Sequence, residues 1–281
     1  MSIHPLAYVS HKAELGRDVE VGPFCVIEED VVIGDGCQID ARACIKSGTT
    51  LGPHNRIHEA AVLGGFPQCL KVPERLGRLV IGAHNTIREN ATLHRALHEG
   101  QATTVGDHNL LMVNAHIAHD CHIGNNSVFA NNVMLAGHVT TGDRVFVSGA
   151  VAVHQFCRVG QFAMVGGQAH ISRDIPPYVT IDGASSLVVG LNLIGLRRNG
   201  FTPDQVAELK AAYRVIYRSG LRWTEVLERL AEQFATGAAA HFLEFFQGGT
   251  RGFVPERRTP PSATIKISEA APVDRELRKA G

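Results

Sequence analysis

The sequence predicts a mainly β protein, a parallel β-helix of hexapeptide repeats, followed by a small C-terminal α-helical domain. Three observations lead to this prediction. Aliphatic residues recur every six positions through most of the chain, glycine occurs 29 times in 281 residues, and aromatic residues make up only 6%. Stacked aliphatic ladders fill a narrow interior without large rings. Each coil packs only on its neighbours, so a long chain can escape the size limit of a single core.

The repeat runs from Ile3 to Ile171, and 25 of the 29 positions spaced by six in that range are Ile, Leu, Val or Phe. A period of six fits neither an α-helix nor a simple alternating strand. It fits short flat faces that each bury one aliphatic residue, with Gly, Asn or Asp at the corners. The pattern lapses at roughly 64–80 and 95–104. These lapses predict two loops that leave the solenoid.

After Ile171 the repeat stops, and from about residue 191 the sequence becomes helical. The segment Thr202-Pro203-Asp204-Gln205 predicts a helix start, with Thr as the N-cap, Pro at the first helical position and Gln completing a capping box. Gly220 suits the end of that helix. Two further helices are predicted over 223–235 and 238–247.

The composition excludes some classes of protein, and the patterns described above divide the chain into three expected regions. Lys and Arg balance Asp and Glu at 27 each, which argues against a strongly basic nucleic-acid binder. The six cysteines form no CxxC pair, and the N-terminus lacks a signal-peptide core, so a cytoplasmic protein with free thiols and no transmembrane segment is expected. The expected regions are a β-helix over 1–190, a helical domain over 191–252 and a disordered tail over 253–281.

Histidines are concentrated in the segment from Asn114 to His122, where His116, His119 and His122 recur at three-residue spacing and Asp120 follows the second of them. A neutral imidazole is the natural general base at pH 7. An adjacent carboxylate can hold its tautomer and stabilise the imidazolium that forms. The segment therefore predicts a catalytic histidine.

Six sequence blocks follow one another along the chain, namely LLMVNAHIAHDC, LAGHV, AVHQFC, MVGG, DIPPYV and IYRSG. Through these blocks the chain resembles the UDP-N-acetylglucosamine O-acyltransferases, the family of the first committed step of lipid A synthesis, up to about residue 254. The resemblance implies a left-handed β-helix with three hexads per coil and a homotrimer with active sites between neighbouring prisms. It also implies an acyl carrier protein thioester as donor, transfer of a 3-hydroxyacyl chain and no cofactor.

Carried over position by position, the resemblance implies His119 as general base, Asp120 as its orienting partner and the Gly137 N–H as the donor that stabilises the oxyanion. It implies direct attack of the sugar 3-hydroxyl on the thioester. Gly167 matches the position that sets acyl-chain length. The implied substrate contacts are Gln68, Lys71, His116, His138, His154, Gln155, Asn192 and Arg198.

Three positions depart from the family pattern, namely Cys69 in place of Asp, Ile194 in place of a carboxylate and Asn199 after the basic pair. Cys69 leaves open a 3-amino analogue of the sugar as acceptor. Two other hypotheses also remain at this point. One is a zinc enzyme of the carbonic anhydrase kind, although histidines at three-residue spacing on flat faces point in different directions. The other is an inactive scaffold.

Overall fold

A computed structural model describes residues 1–258. It confirms the predicted left-handed parallel β-helix, whose three flat faces are parallel sheets of very short strands. The first face consists of Ser2–Ile3, Glu20–Val21, Gln38–Ile39, Arg56–Ile57, Thr86–Ile87, Leu110–Leu111, Val128–Phe129, Phe146–Val147, Met164–Val165, Val179–Ile181 and Val188–Leu191, the last of which pairs antiparallel.

The other two faces follow the same pattern. The second face consists of Tyr8–Val9, Val26–Ile27, Cys44–Ile45, Val62–Gly65, Thr92–His94, His116–Ile117, Met134–Leu135, Ala152–Val153 and His170–Ile171. The third face consists of Glu14–Leu15, Val31–Ile33, Thr49–Leu51, Arg78–Ile81, Ala102–Val105, His122–Ile123, Thr140–Thr141 and Arg158–Val159.

The register of these sheets explains the sequence period. Ile117 pairs with Leu135, which pairs with Val153, so equivalent residues lie eighteen positions apart. These inward residues are at most 2% exposed and form one continuous core. From Asp18 to Gln168, outside the two predicted loops, every sixth residue lies three positions after an inward residue and adopts a left-handed backbone at a corner; Asp120 and His138 have φ values of 58° and 62°. The aliphatic residues thus stack in columns, and the corners stack in columns too.

Both predicted loops leave the solenoid at the same corner. Leu63 of the second face pairs with Leu93, and Leu93 pairs with Ile117, so these coils are longer than eighteen residues. The extra residues lie between the second and third faces, before Arg78–Ile81 and before Ala102–Val105. The two insertions therefore share one column of corners, the one between the second and third faces.

The C-terminal part consists of α1 (Leu193–Arg198), α2 (Pro203–Arg218), α3 (Trp223–Gln233) and α4 (Ala240–Phe246). The predicted capping box between Thr202 and Gln205 is present at the start of α2. Tyr178 joins the β-helix to the helical core, since it is 1% exposed and its ring contacts Phe242. Within residues 1–258, no helix has the length and apolar character needed to cross a membrane.

The predicted disordered tail is wrong for residues 253–258. Phe253 forms a parallel bridge with Asp174, Val254 is 4% exposed, and Glu256 accepts hydrogen bonds from the Tyr213 hydroxyl and the Arg218 guanidinium. Local composition could not show this, because the partners that order the segment are distant in sequence. The rest of the predicted tail, 259–281, lies outside the described residues.

Candidate active site

A groove of about 700 Å³ lies on the outside of the second face and its corner with the third face. The eighteen-residue register places His119, Gly137 and Gln155 in one column of this corner, while His116 lies on the adjoining strand. Six of the predicted site residues line the groove: Gln68, His116, His119, Gly137, His154 and Gln155. The structure therefore brings together residues separated by almost ninety positions in the chain.

His119 and Asp120 form a hydrogen-bonded pair in the groove. The His119 Nδ1 atom lies 2.7 Å from Asp120 Oδ2, and the two side chains are 14% and 7% exposed. An ionised carboxylate only accepts hydrogen bonds. His119 Nδ1 therefore carries the ring proton and donates a hydrogen bond to Asp120. The Nε2 atom is then unprotonated and can accept a proton from a substrate.

The second loop holds Asp120 in place. The Leu97 N–H donates to both carboxylate oxygens of Asp120 at 3.2 and 3.3 Å. The Asp120 N–H in turn donates to the buried Thr103 hydroxyl at 2.8 Å. The carboxylate that orients His119 is thus itself oriented by the insertion above it, which favours one geometry of the pair.

Gly137 packs directly against the His119 ring. A Cβ atom at this position would lie 2.6 Å from His119 Cε1 and 2.8 Å from Nε2, which is closer than real Cβ contacts. Within residues 1–258 the Gly137 N–H donates no hydrogen bond. A backbone donor beside the imidazole is therefore available to a ligand atom in the groove.

Two further histidines form the floor of the groove. His116 Nδ1 lies 2.8 Å from the Thr92 hydroxyl, and the His94 ring contacts His116 edge to face. Burial lowers the pKa of His94 to about 4, with smaller contributions from the charges of His116 and His119. Burial also lowers the pKa of His116. Both rings are therefore neutral at pH 7 and do not repel a protonated His119.

His138 lies beside the His119–Asp120 pair but does not line the groove. Its ring stacks on Phe156 at 4.5 Å, and its Nε2 is 3.9 Å from Asp120 Oδ2. Burial lowers the pKa of His138, although the charge of Asp120 opposes this effect. His138 thus packs beside the pair, between His119 and Phe156.

At the far end of the groove, His154 contacts the C-terminal segment. Its Nδ1 lies 2.8 Å from the Arg251 guanidinium. The same Nδ1 atom also lies 3.2 Å from the Gln155 carbonyl oxygen. The segment after α4 therefore borders this end of the groove.

The first loop contributes Gln68 and Cys69 to the groove. The Cys69 Sγ atom lies 3.2 Å from His119 Nε2. Lys71, which is exposed in the same loop, is not among the residues lining this cavity. The departure from the family pattern at residue 69 is therefore located beside the candidate general base.

The structure places Asn192, Arg198 and Gly167 elsewhere. Asn192 and Arg198 line a cavity of about 540 Å³ on the first face, and Asn192 also caps α1 by accepting from the Gly195 N–H at 3.0 Å. Gly167 lies at the corner between the first and second faces, where an added Cβ would approach no closer than 3.4 Å to the Gly149 carbonyl. Within one chain these residues are not part of the groove around His119.

Two clusters in the described residues bring three possible metal-ligand atoms together. One contains His119, Asp120 and His138, and the other contains Asp40, His58 and Glu59. In the first, His119 and Asp120 are already hydrogen-bonded to each other. His116, His119 and His122 do not form one ligand set: His122 belongs to the third face, where its Nδ1 lies 2.9 Å from the Thr104 hydroxyl.

Sequence reasoning missed four groups at this site: His94, Thr103, the Leu97 N–H and Arg251. Only the lapses in the repeat gave a signal for two of them, since Leu97 and Thr103 belong to the predicted second loop. Arg251 had no signal, because its approach to His154 depends on the packing of the segment after α4.

Comparison with known proteins gives consistent matches along the chain. A family model for bacterial transferase hexapeptide repeats matches residues 30–65 and 102–137, and one described as UDP N-acetylglucosamine O-acyltransferase, domain 2, matches residues 174–254. An acyl-[acyl-carrier-protein]–UDP-N-acetylglucosamine O-acyltransferase of Halorhodospira halophila is 45% identical over 254 residues, which cover 90% of this chain and 98% of that protein.

Solved structures of UDP-N-acetylglucosamine acyltransferases also match this chain over most of its length. The UDP-N-acetylglucosamine acyltransferase of Francisella novicida superposes with a TM-score of 0.88 at 35% identity, covering 91% of this chain and 95% of its own. The enzyme from Bacteroides fragilis gives 0.86 at 38% identity, covering 90% and 99%. The β-helix and its histidine groove thus define a hexapeptide-repeat acyltransferase. More particularly, the chain belongs to the acyl-[acyl-carrier-protein]–UDP-N-acetylglucosamine O-acyltransferase family.

The contact between Gly137 and His119 gives a first prediction. We expect Gly137→Ala to displace the imidazole while leaving the backbone N–H in place, and to lower kcat by about 10²-fold, since a misplacement of about 1 Å can cost that much. The matched control is Gly149→Ala, also at a coil corner, where the nearest atom to a new Cβ lies at 3.4 Å. Steady-state kinetics of acyl transfer by both variants would test this prediction. Equal kcat values for Gly137→Ala and Gly149→Ala would contradict it.

Proposed function

We propose that this enzyme transfers a 3-hydroxyacyl chain from acyl carrier protein to the 3-hydroxyl of UDP-N-acetylglucosamine, the first step of lipid A synthesis. Membership of the family supports the carrier-protein donor and the sugar nucleotide. One observation supports the mechanism above all: His119, oriented by Asp120, lies against Gly137, whose N–H is not used within the described chain. A base and an oxyanion donor thus face one reacting carbonyl.

The proposed reaction is a direct transfer. His119 Nε2 accepts the proton of the sugar hydroxyl, whose oxygen attacks the thioester carbonyl. The Gly137 N–H donates to the oxygen of the tetrahedral intermediate, a contribution typically of about 10²–10³ in rate. The carbon–sulfur bond then breaks, and the imidazolium returns its proton to the leaving carrier-protein thiolate. Asp120 stabilises the imidazolium between these two steps.

Charge supports an assembly in which a neighbouring chain completes the site, and the family resemblance implies that this assembly is a homotrimer. The residues lining the groove around His119 include no lysine or arginine. A nucleoside diphosphate needs positive charge, and Arg198 lies exposed at the separate cavity on the first face. We infer that the first face of one prism packs against the second face of the next. In that arrangement Asn192 and Arg198 of the neighbour meet the nucleotide, while Gln68, His116, His154 and Gln155 contact the sugar and the acyl chain.

Acyl transfer with purified protein tests the reaction and its acceptor. A panel of 3-hydroxyacyl carrier proteins is offered UDP-N-acetylglucosamine and, separately, its 3-amino analogue, because Cys69 lies beside the base. We expect turnover of the hydroxyl sugar. Turnover of the amino sugar alone would assign amide formation instead. No turnover with either would contradict the proposal and favour an inactive scaffold.

The role of His119 predicts a large loss of rate in His119→Ala. We expect a decrease of at least ~10²-fold in kcat with the trimer retained, since a positioned general base contributes roughly 10²–10⁴. The matched control is His122→Ala, which removes an exposed histidine from the third face and should leave the rate near its original value. Near-normal activity of His119→Ala, with sedimentation showing an intact trimer, would contradict the assignment.

Gly167 predicts how the enzyme measures its acyl chain. A Cβ atom added at Gly167, at the corner between the first and second faces, would make only ordinary van der Waals contacts, the nearest at 3.4 Å to the Gly149 carbonyl. In the proposed trimer this corner borders the cleft, so a glycine leaves room for a longer chain. We expect Gly167→Met to shift preference toward shorter chains in the same donor panel, with the KM for the sugar nucleotide unchanged. An unchanged chain-length profile would refute this role.

A further inference from the structure

Cys69 differs from the other five cysteines in its surroundings. It lines the groove, is partly exposed and has its Sγ 3.2 Å from His119 Nε2. Cys25, Cys37, Cys121 and Cys157 are buried, and Cys44 is partly buried on the second face. Burial raises the pKa of each of these five thiols.

The hydrogen-bond pattern turns Cys69 into the first member of a chain of three groups. His119 Nδ1 donates to Asp120, so Nε2 can only accept, and its neighbour is the Cys69 S–H. A thiol that can pass its proton to an oriented imidazole has the arrangement of an activated sulfur nucleophile. Because the loop places this thiol at the atom that should deprotonate the acceptor, any group bonded to Sγ would occupy the acceptor's position.

The same cavity has room for a ligand with polar groups. It measures about 700 Å³, and polar side chains such as Gln68 and Gln155 line it together with Cys69. His94 also lines it and is 6% exposed, and its Nδ1 has no hydrogen-bond partner in the described chain. A small polar molecule therefore fits in the groove next to Cys69.

We propose that Cys69 is a covalent modification site at which small soft electrophiles inactivate the enzyme, by capping the thiol that faces His119. The proposal rests on the proposed function, because that function places the acceptor at His119. With iodoacetamide the reaction is balanced as follows. The Cys69 sulfur forms a bond to the methylene carbon, the carbon–iodine bond breaks, iodide leaves and the thiol proton passes to His119 Nε2.

The test treats the native enzyme with a limiting amount of iodoacetamide at pH 7, and follows both the mass of the intact chain and acyl transfer. We expect one carbamidomethyl group per chain, mapped by peptide digestion to Cys69, with activity falling in step with labelling by at least ~10-fold. Saturating UDP-N-acetylglucosamine should slow labelling. Modification of another cysteine first, labelling without loss of activity, or no protection by the sugar nucleotide would each overturn the proposal.

Variants separate the role of each group. Iodoacetamide should not change the activity of Cys69→Ser relative to the same variant before treatment. Cys44→Ser, which removes the other partly exposed thiol, should be labelled and inactivated like the native enzyme. His119→Asn should be labelled roughly tenfold more slowly, since it removes the proton acceptor. Equal labelling rates in His119→Asn and the native enzyme would contradict activation by the imidazole.

The failure of this proposal is distinguishable from the failure of the proposed function. Labelling is read by mass and does not require turnover. An untreated enzyme that transfers no acyl group would contradict the proposed function, while the site and rate of labelling would still decide whether the Cys69 thiol is the activated one.

Discussion

The eighteen-residue register of the β-helix is the constraint on which the rest of the molecule depends. In each coil a face buries the inward residue of its strand and the residue two positions before it, as with Leu135 and Val133, so hydrophobic burial fixes which residues of each hexad point inward. A slip of one residue would expose an entire ladder. Once the inward residues are fixed, the corner residues stack without further choice. The corner column that contains His119 and Gly137 is therefore a consequence of the packing of the core residues beside it.

The same geometry explains how a polar site can be so ordered. Asp120 occupies a corner position with a left-handed backbone, and its N–H and carboxylate are held by Thr103 and Leu97 from the coil above. The insertions supply what the regular coils cannot, namely irregular backbone with free donors and a cover for the histidines. Burial beneath this cover keeps His94 and His116 neutral, which allows histidines to crowd together without repulsion.

Particular residues show how far the sequence could predict the site. The chain spacing between His119 and Gly137 was enough to place them together, because the coil length converts sequence distance into spatial distance. The contact of Cys69 with His119 could not be obtained in this way, because residue 69 lies in an irregular loop without a period. Arg251 near His154 and the ordered segment around Phe253 were also out of reach, because their partners come from a different part of the fold.

The sequence by itself determined the β-helix, its coil boundaries, the two insertions and the capped helix α2, because each depends on interactions that recur at a fixed spacing or within one turn. Only the tertiary structure decided which loop atoms reach the histidines, which rings are buried enough to stay neutral, and that Asn192 and Arg198 lie on a different face from His119. These features depend on contacts between segments with no shared period. Their free energies are set by burial and packing, which a local pattern does not specify.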